Sequence, residues 1–443
     1  MILDQSLTPE QQRRSQRNLH CFNVINGVSY MCLGETILIL LAVKLHSPDY
    51  VVATLGSMIY FGFLLLPLGK AVTARVGAAR AQAHFWVYRN LAALAIASAA
   101  LWSHLGLHLL AELVIVAGAF MFYGFRAAGV VMSQPLIGDI TDESSRGRFL
   151  GLLNSAFSIA CIVTLLVITL VMRHESEWTI TGVIVFGACC GITASGFLRR
   201  VDETRAISVS AREPYGPAFR WALHHRPLRS LLLAAFMANL AQILIAPLSM
   251  LAVKRGYGFN DTQALIFAIG QFGGAAAISF LAGQAARLLG SRREMLLAYL
   301  GMLLIALSWL LLPNTASLPL LLILFFFVGG CNVVLINTVM QYFLEIITPE
   351  RRVASSVFVS IVTGAGAGVT GIIVSNAMLK LGALLAPETP LSGYRAYFAL
   401  IILCLLPGLY LIARLKPAAD DNHNFKRPKF AADNHNSQSH DAQ

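Results

Sequence analysis

The chain has 443 residues, 57% of them hydrophobic and only 12% charged, against about 25% charged in an ordinary soluble domain, which excludes a soluble globular fold. Its formal net charge of +11 is dispersed along the chain rather than gathered in one patch, which excludes nucleic-acid binding as the reason for it. No His/Cys set with metal spacing, Gly-rich phosphate loop or Ser/His/Asp arrangement is present, so no enzyme, cofactor or metal site is expected.

Residues 1–19 form a polar N-terminal tail without the apolar core and small-residue cleavage site of a signal peptide, so the first span is expected to remain in the mature protein. Apolar runs then predict twelve transmembrane helices near residues 20–44, 50–70, 83–103, 108–133, 149–172, 178–198, 229–252, 262–283, 294–312, 318–345, 353–380 and 396–415. Of the 33 Lys and Arg residues, Lys44, Arg173, Lys254, Arg255, Lys380 and Arg395 fall on one side of this frame and Arg126 falls within it. All the others fall on the opposite side, which the positive-inside rule makes cytoplasmic, with both termini there and a cell (inner) membrane as the location. Trp86, Trp102, Trp178 and Trp309 lie near span ends, as an interfacial belt requires. The seven cysteines, Cys21, Cys32, Cys161, Cys189, Cys190, Cys331 and Cys404, all fall in predicted spans, where they serve as small apolar residues.

Charge inside the spans is scarce, so each charged residue there is a candidate for function. Glu35 on span 1 is the one carboxylate near a span centre. Its neighbours Met31, Cys32, Leu38 and Ile39 are apolar, and a carboxyl able to be neutral or charged in such a place suits proton coupling. A permanently protonated, hydrogen-bonded Glu is the structural alternative. Arg89 lies near the inner end of span 3, and Glu112 and Glu345 lie nearer span ends. On span 4, Glu112, Ala119, Tyr123 and Arg126 share one face at 100° per residue, the stripe expected to line a cavity. A guanidinium in hydrocarbon costs about 2.5 to more than 10 kcal/mol, so Arg126 must face protein, water or a counter-charge. Measured from span centres, Glu35 lies about 5 Å outward and Arg126 about 8 Å inward, which argues against a direct pair. Uncharged polar stripes follow: Asn154, Ser158 and Cys161 on span 5, Asn239, Gln242 and Ser249 on span 7, and Asn337 and Gln341 on span 10. They serve either as solute contacts or as interhelical hydrogen bonds. Pro247 is expected to kink span 7 near its outer end.

The longest internal loop, residues 199–228, divides the chain into an N-terminal bundle (20–198) and a C-terminal bundle (229–415), and residues 416–443 read as a disordered cytoplasmic tail. Internal repetition supports the division. KAVTARVGAAR between spans 2 and 3 answers to GQAARLLGSRR between spans 8 and 9, and TDESSRGR before span 5 answers to ITPERR before span 11.

These elements resemble the major facilitator superfamily, from about residue 18 to residue 415. In that family's loop 2/3 pattern, Arg75 and Gly77 match in the first half and Gly283 and Gly290 in the second, while Lys70 replaces the first Gly, and Ala74 and Arg287 replace the Asp. The resemblance makes Arg75, Gly77, Gly283, Gly290, Asp139 and Arg146 gating-loop residues, and Arg126 the family's span 4 arginine. It implies an all-α fold of two six-helix bundles rocking about a central site. Span 8 (Gly270, Gly273, Gly274) and span 11 (Gly364, Gly366, Gly368, Gly371) are expected to pack against the opposite half. The Gly-Pro pair that many drug/proton antiporters carry on span 5 is absent.

The expected function is therefore secondary active transport of a small polar or anionic organic solute by a monomer in the lipid bilayer, coupled to H+. Arg126, Tyr123, Asn154, Ser158, Asn239, Gln242, Asn337 and Gln341 are the solute contacts and Glu35 is the proton carrier. Proton-coupled export of lipophilic compounds is the alternative within transport, and a transport-inactive sensor or scaffold is the alternative outside it.

Overall fold

A computed structural model describes residues 2–48, 51, 54–55, 58–59, 61–172, 176–259, 261–386 and 389–416. The expected disordered tail from residue 417, Arg173 and part of the expected second span lie outside these residues. With no water in hydrocarbon to serve the backbone, every spanning segment must close its own hydrogen bonds, and the described chain is almost entirely helical. Ten helical segments among the described residues are long and apolar enough to cross a bilayer. One of these, Gln263–Leu311, carries spans 8 and 9 on either side of Gly290, and the expected second span is described from Phe61 through Gly62–Leu65 and Leu66–Val76.

Span 1 departs from expectation in two ways. Its helix starts at Pro9, well inside the expected polar tail, because Thr8 and Gln11 form a reciprocal cap: the Thr8 amide donates to Gln11 Oε1 at 2.9 Å and the Gln11 amide to Thr8 Oγ1 at 3.4 Å. That helix ends at Cys32, and a second, Glu35–Lys44, begins after extended backbone at Gly34. The span is thus discontinuous at membrane depth. Span 7 carries Pro247 inside the continuous helix Arg226–Leu251 and finishes in a wide π-type turn, Ala252–Gly256, while a second such turn, Ile361–Gly366, lies within span 11.

Spans 1, 3, 4, 5 and 6 pack together in one bundle, and spans 7 to 12 in the other. Hydrogen bonds that cross between them lie, among the described residues, toward the face where positive charge collects, here termed the basic face. On spans 5 and 8, Gly151 lies close against Ser279 and Gly283, and Ser155 Oγ donates to the Ala276 carbonyl at 2.7 Å. Asn154 Nδ2 donates to Asn337 Oδ1 at 2.7 Å and Ser279 Oγ to the Gly151 carbonyl at 3.3 Å, while within the second half Asn337 Nδ2 donates to Ser279 Oγ at 3.2 Å. Ser356 on span 11 bonds the Val131 carbonyl and Gln134 Oε1, each at 2.9 Å. The basic face is closed. The glycines of span 8 correct the sequence expectation: Gly270 and Gly274 pack on span 10 of their own half, and Gly283 makes the contact across halves. On span 11, Gly364 does meet the first half, at Phe63.

Gly77 (φ 86, ψ 168) and Gly290 (φ 72, ψ 156) occupy the same place in the two halves, each turning the chain sharply between helices. This backbone region is reserved for glycine and explains why the repeat retains it. On the basic face, β1 (Ile2–Leu3) pairs in parallel with β2 (Glu203–Thr204), joining the N-terminus to the central connector.

Two outcomes follow. Gly77→Ala or Gly290→Ala should each cost about 1–3 kcal/mol and lower the thermal midpoint of the purified protein, whereas Gly216→Ala, where φ is not positive and the added carbon meets nothing, should not. Burial raises the Glu203 carboxyl to about 7, against the opposing effect of two backbone amides that donate to it. The packed connector therefore holds this proton more tightly than a loosened one, whose carboxyl has the ordinary value of about 4.3. The stabilisation is present below about pH 4.3 and is lost as pH rises through about 7. Tryptic cleavage after Arg205, normalised to Glu203→Gln, should accelerate over that range; a constant ratio would refute the assignment.

Candidate functional site

Arg126 is half-buried on the fourth span, its guanidinium carbon 5.5 Å from the centroid of the Tyr30 ring. Tyr30 packs in turn on Phe157 of span 5 at 5.5 Å between centroids. The aromatic face gives the cation a partner that hydrocarbon does not. Glu35 is exposed and is the first residue of the second segment of span 1, where the helix start leaves backbone N–H groups free and favours negative charge. It lies close enough to Arg126 for their charges to interact, with no direct ion pair between them among the described residues. The span distances of a continuous helix kept the two apart. The break at Gly34 is what reorients the second segment, and a single glycine in an apolar run is the only signal of it in the sequence.

Behind this pair is a polar seam between spans 1 and 3 that sequence reasoning only touched. Arg89, 2% exposed, donates from one terminal nitrogen to Asn26 Oδ1 at 3.3 Å, and Trp86 Nε1 donates to the same oxygen at 2.8 Å. The Phe122 ring lies 4.7 Å from the Arg89 guanidinium carbon. Ser29 Oγ donates to Asn90 Oδ1 at 3.4 Å, and Asn90 Nδ2 to the Trp86 carbonyl at 2.6 Å. Asn26 thus serves the interior of the bundle. Tyr123 is 4% exposed, its hydroxyl buried without a hydrogen-bond partner among the described residues and within electrostatic range of Glu35, Arg126 and Arg89. The span 4 stripe is therefore mixed: Ala119 and Tyr123 are packed inside, and Arg126 emerges.

The other expected solute contacts separate into two groups. Asn239 is half-buried and donates to the Ala235 carbonyl of its own helix at 2.9 Å, and Gln242 is half-buried one turn on. Asn154, Asn337 and the buried Ser158 lie along the seam side of spans 5 and 10, the first two hydrogen-bonded to each other across the halves. Gln341 is buried deeper toward the basic face, where it bonds Glu345, whose Oε2 also accepts from Ser291 Oγ at 2.6 Å. In this conformation Asn154, Asn337 and Gln341 take part in the contact between the halves. A helical wheel gives the face of a residue but not which helix meets it.

The expected gating residues lie on the basic face. Asp139 accepts from the Thr204 amide at 2.6 Å and from Thr204 Oγ1 at 2.7 Å. Arg146 is buried and donates to Thr141 Oγ1 at 3.3 Å and to the Thr141 carbonyl at 3.4 Å. Arg75 is exposed, Gly77 and Gly290 make the turns, and Gly283 makes the seam.

The sequence matches the Major Facilitator Superfamily over residues 19–372. Among solved structures, a proton:xylose symporter, XylE, bound to 6-bromo-6-deoxy-D-glucose, superposes with a TM-score of 0.68 at 13% identity, covering 93% of this chain and 97% of that one. The human organic anion transporter MFSD10 (TETRAN) gives 0.64 at 14% identity, with 92% and 100% covered. A bacterial homologue of the iron transporter ferroportin in the outward-facing state gives 0.66 at 15% identity, with 90% and 98% covered. At these identities the likeness is one of fold. No curated protein matches the sequence.

Removing the Asn26 amide leaves the Arg89 cation and the Trp86 N–H without their acceptor in a dry interior, a loss of about 1–3 kcal/mol or more for a charged donor. Asn26→Leu should lower the thermal midpoint clearly while Asn26→Asp, which keeps the acceptor, should hold it near that of the wild type; equal losses in both would show that the oxygen is not what matters.

Proposed function

The chain belongs to the major facilitator superfamily, and from that premise we propose that it is a proton-coupled secondary transporter of a small anionic organic solute. The observation that carries this reading is the broken first span, which sets the exposed Glu35 carboxyl within range of the Arg126 charge. Arg126, stacked on Tyr30, offers a fixed cation to a carboxylate or phosphate group, and the free amides at the start of the second segment add to the same attraction.

Ionised Glu35 satisfies that guanidinium electrostatically and competes with the solute for it. Protonated Glu35 does not. Solute and proton therefore enter together, which is the requirement for symport. The positive-inside rule makes the basic face cytoplasmic and both termini inside, so that the seam described above closes the inner side and the arrangement is outward-facing. Rocking of the two halves then carries the loaded site to the other side. Asn239 and Gln242 on span 7 supply uncharged contacts from the second half. The likeness to a sugar symporter and an organic anion transporter supports transport of a small polar solute, and the polar, cationic character of the site favours an anion within that class.

Export of lipophilic compounds against protons uses the same Glu35 and is the second reading; it is favoured by the exposure of that carboxyl. Uptake by proteoliposomes of a panel of small carboxylates and phosphate esters, under an inward proton gradient, separates the two. Arg126→Ala should reduce uptake at least about tenfold, equivalent to about 1.4 kcal/mol. Glu35→Gln should make the remaining transport insensitive to the gradient. Full gradient-driven uptake in Arg126→Ala would remove the anion reading, and drug resistance of cells lost on Glu35→Gln without any effect on anions would establish export instead.

A further inference from the structure

The loop between spans 2 and 3 lacks the acidic residue with which the family pattern holds its inner gate closed, Ala74 standing in that place. The central connector lies directly over this loop and touches both halves. On the first half, the Glu203 carboxylate accepts from the amides of Ala78 and Ala79 at 2.7 and 3.2 Å, capping the start of span 3 after Gly77. The buried Lys70, which replaces the first Gly of the pattern, donates to the Glu213 carbonyl and lies 3.8 Å from the centroid of the Tyr215 ring. Arg212 Nε donates to the Ala74 carbonyl at 3.4 Å, and Tyr215 Oη to the Pro67 carbonyl at 2.9 Å.

Hydrogen bonds with the second half are fewer, and the contacts there converge on the start of span 11. Ser210 Oγ accepts from the Val353 amide at 3.2 Å, the Phe219 and Phe358 rings are 5.0 Å apart, and the Arg351 guanidinium carbon lies 4.3 Å from the centroid of the Trp221 ring. Between the two sets is one apolar cluster to which all three parties contribute: Leu66 and Val131 from the first half, Ile207 and Ala211 from the connector, Val353 and Val357 from span 11.

We propose that residues 203–222 are a cross-tie, anchored on the first half and clamped releasably on the start of span 11, that holds the basic face closed in place of the missing acidic residue. The asymmetry sets which end lets go. The anchored side has charge-assisted bonds from Lys70 and Arg212, which are roughly twice as strong as neutral ones, and two further amide bonds to the Glu203 carboxyl. The clamped side has one neutral hydrogen bond and ring contacts. The helix Tyr215–His224 runs on into span 7 at Arg226, so the connector remains attached to the second half there, and what it releases is span 11. Separation of spans 4 and 11 on this face then requires the Phe219 and Trp221 contacts to break first.

The test is a pulsed dipolar distance measurement on the full chain in lipid nanodiscs. Spin labels are placed at Arg80→Cys and Arg293→Cys, both exposed at the basic-face ends of spans 3 and 9, with the exposed Cys189 and Cys404 replaced by Ser. The unaltered connector should give a distribution dominated by one short distance. Phe219→Ala and, independently, Arg351→Ala should each raise the fraction at longer distance at least threefold. Phe219→Cys joined to Phe358→Cys by a short bis-maleimide should abolish it. Unchanged distributions in a variant that keeps the wild-type melting temperature, or a long component that persists in the bridged protein, would overturn the cross-tie. Should Phe219→Ala fail to fold, the surface change Arg351→Ala decides by the same criterion.

Discussion

A backbone amide in hydrocarbon has no water to turn to, and this constraint governs where the protein departs from plain helix. Helix interrupted at membrane depth is tolerated only where it faces protein or a wet chamber. Span 1 is interrupted at Leu33 and Gly34, and the residue that follows is the exposed Glu35. The interruption and the carboxyl explain one another. The free helix start and the acid lie side by side at the break. Arg126 comes within electrostatic range of it from span 4 and leans on Tyr30. One broken helix thus assembles a cation, an anion and a free helix terminus in a membrane interior that elsewhere admits hardly any charge.

The same economy governs the packing. Helices in lipid have no hydrophobic drive to associate with each other, so close approach at glycine and hydrogen bonds between amides and hydroxyls must hold them. Gly151 against Gly283 is the first device, and the Asn154, Asn337 and Ser279 chain is the second. Arg89 shows what happens when a charge is enclosed as well: an amide, an indole and a phenyl ring are collected around it.

Much of this was legible in the sequence. Apolar runs gave the spans, the sorting of basic residues gave a consistent frame, and the loop repeat located Gly77 and Gly290, whose backbone angles admit little else. Arg126 and Glu35 stood out because charge in a span is rare. What was not legible depends on neighbours. Asn154 and Ser158 share a helical face whether that face looks onto a chamber or onto span 8. Gly34 is one glycine among many, and only the turn it makes distinguishes it. The connector reads as a polar loop with an amphipathic stretch, because its structure is held by contacts to spans 2, 3 and 11 rather than by its own periodicity.

The cross-half bonds from Asn154 to Asn337, Ser279 to Gly151 and Ser155 to Ala276 join only uncharged groups. A transmembrane electric field does work on charge that moves, about 2.3 kcal/mol per elementary charge across 100 mV, and on neutral amides and hydroxyls it does almost none. These bonds therefore break and re-form without sensing voltage. Any dependence of turnover on membrane potential enters through the ionisable groups, and its size counts the charge that travels with them.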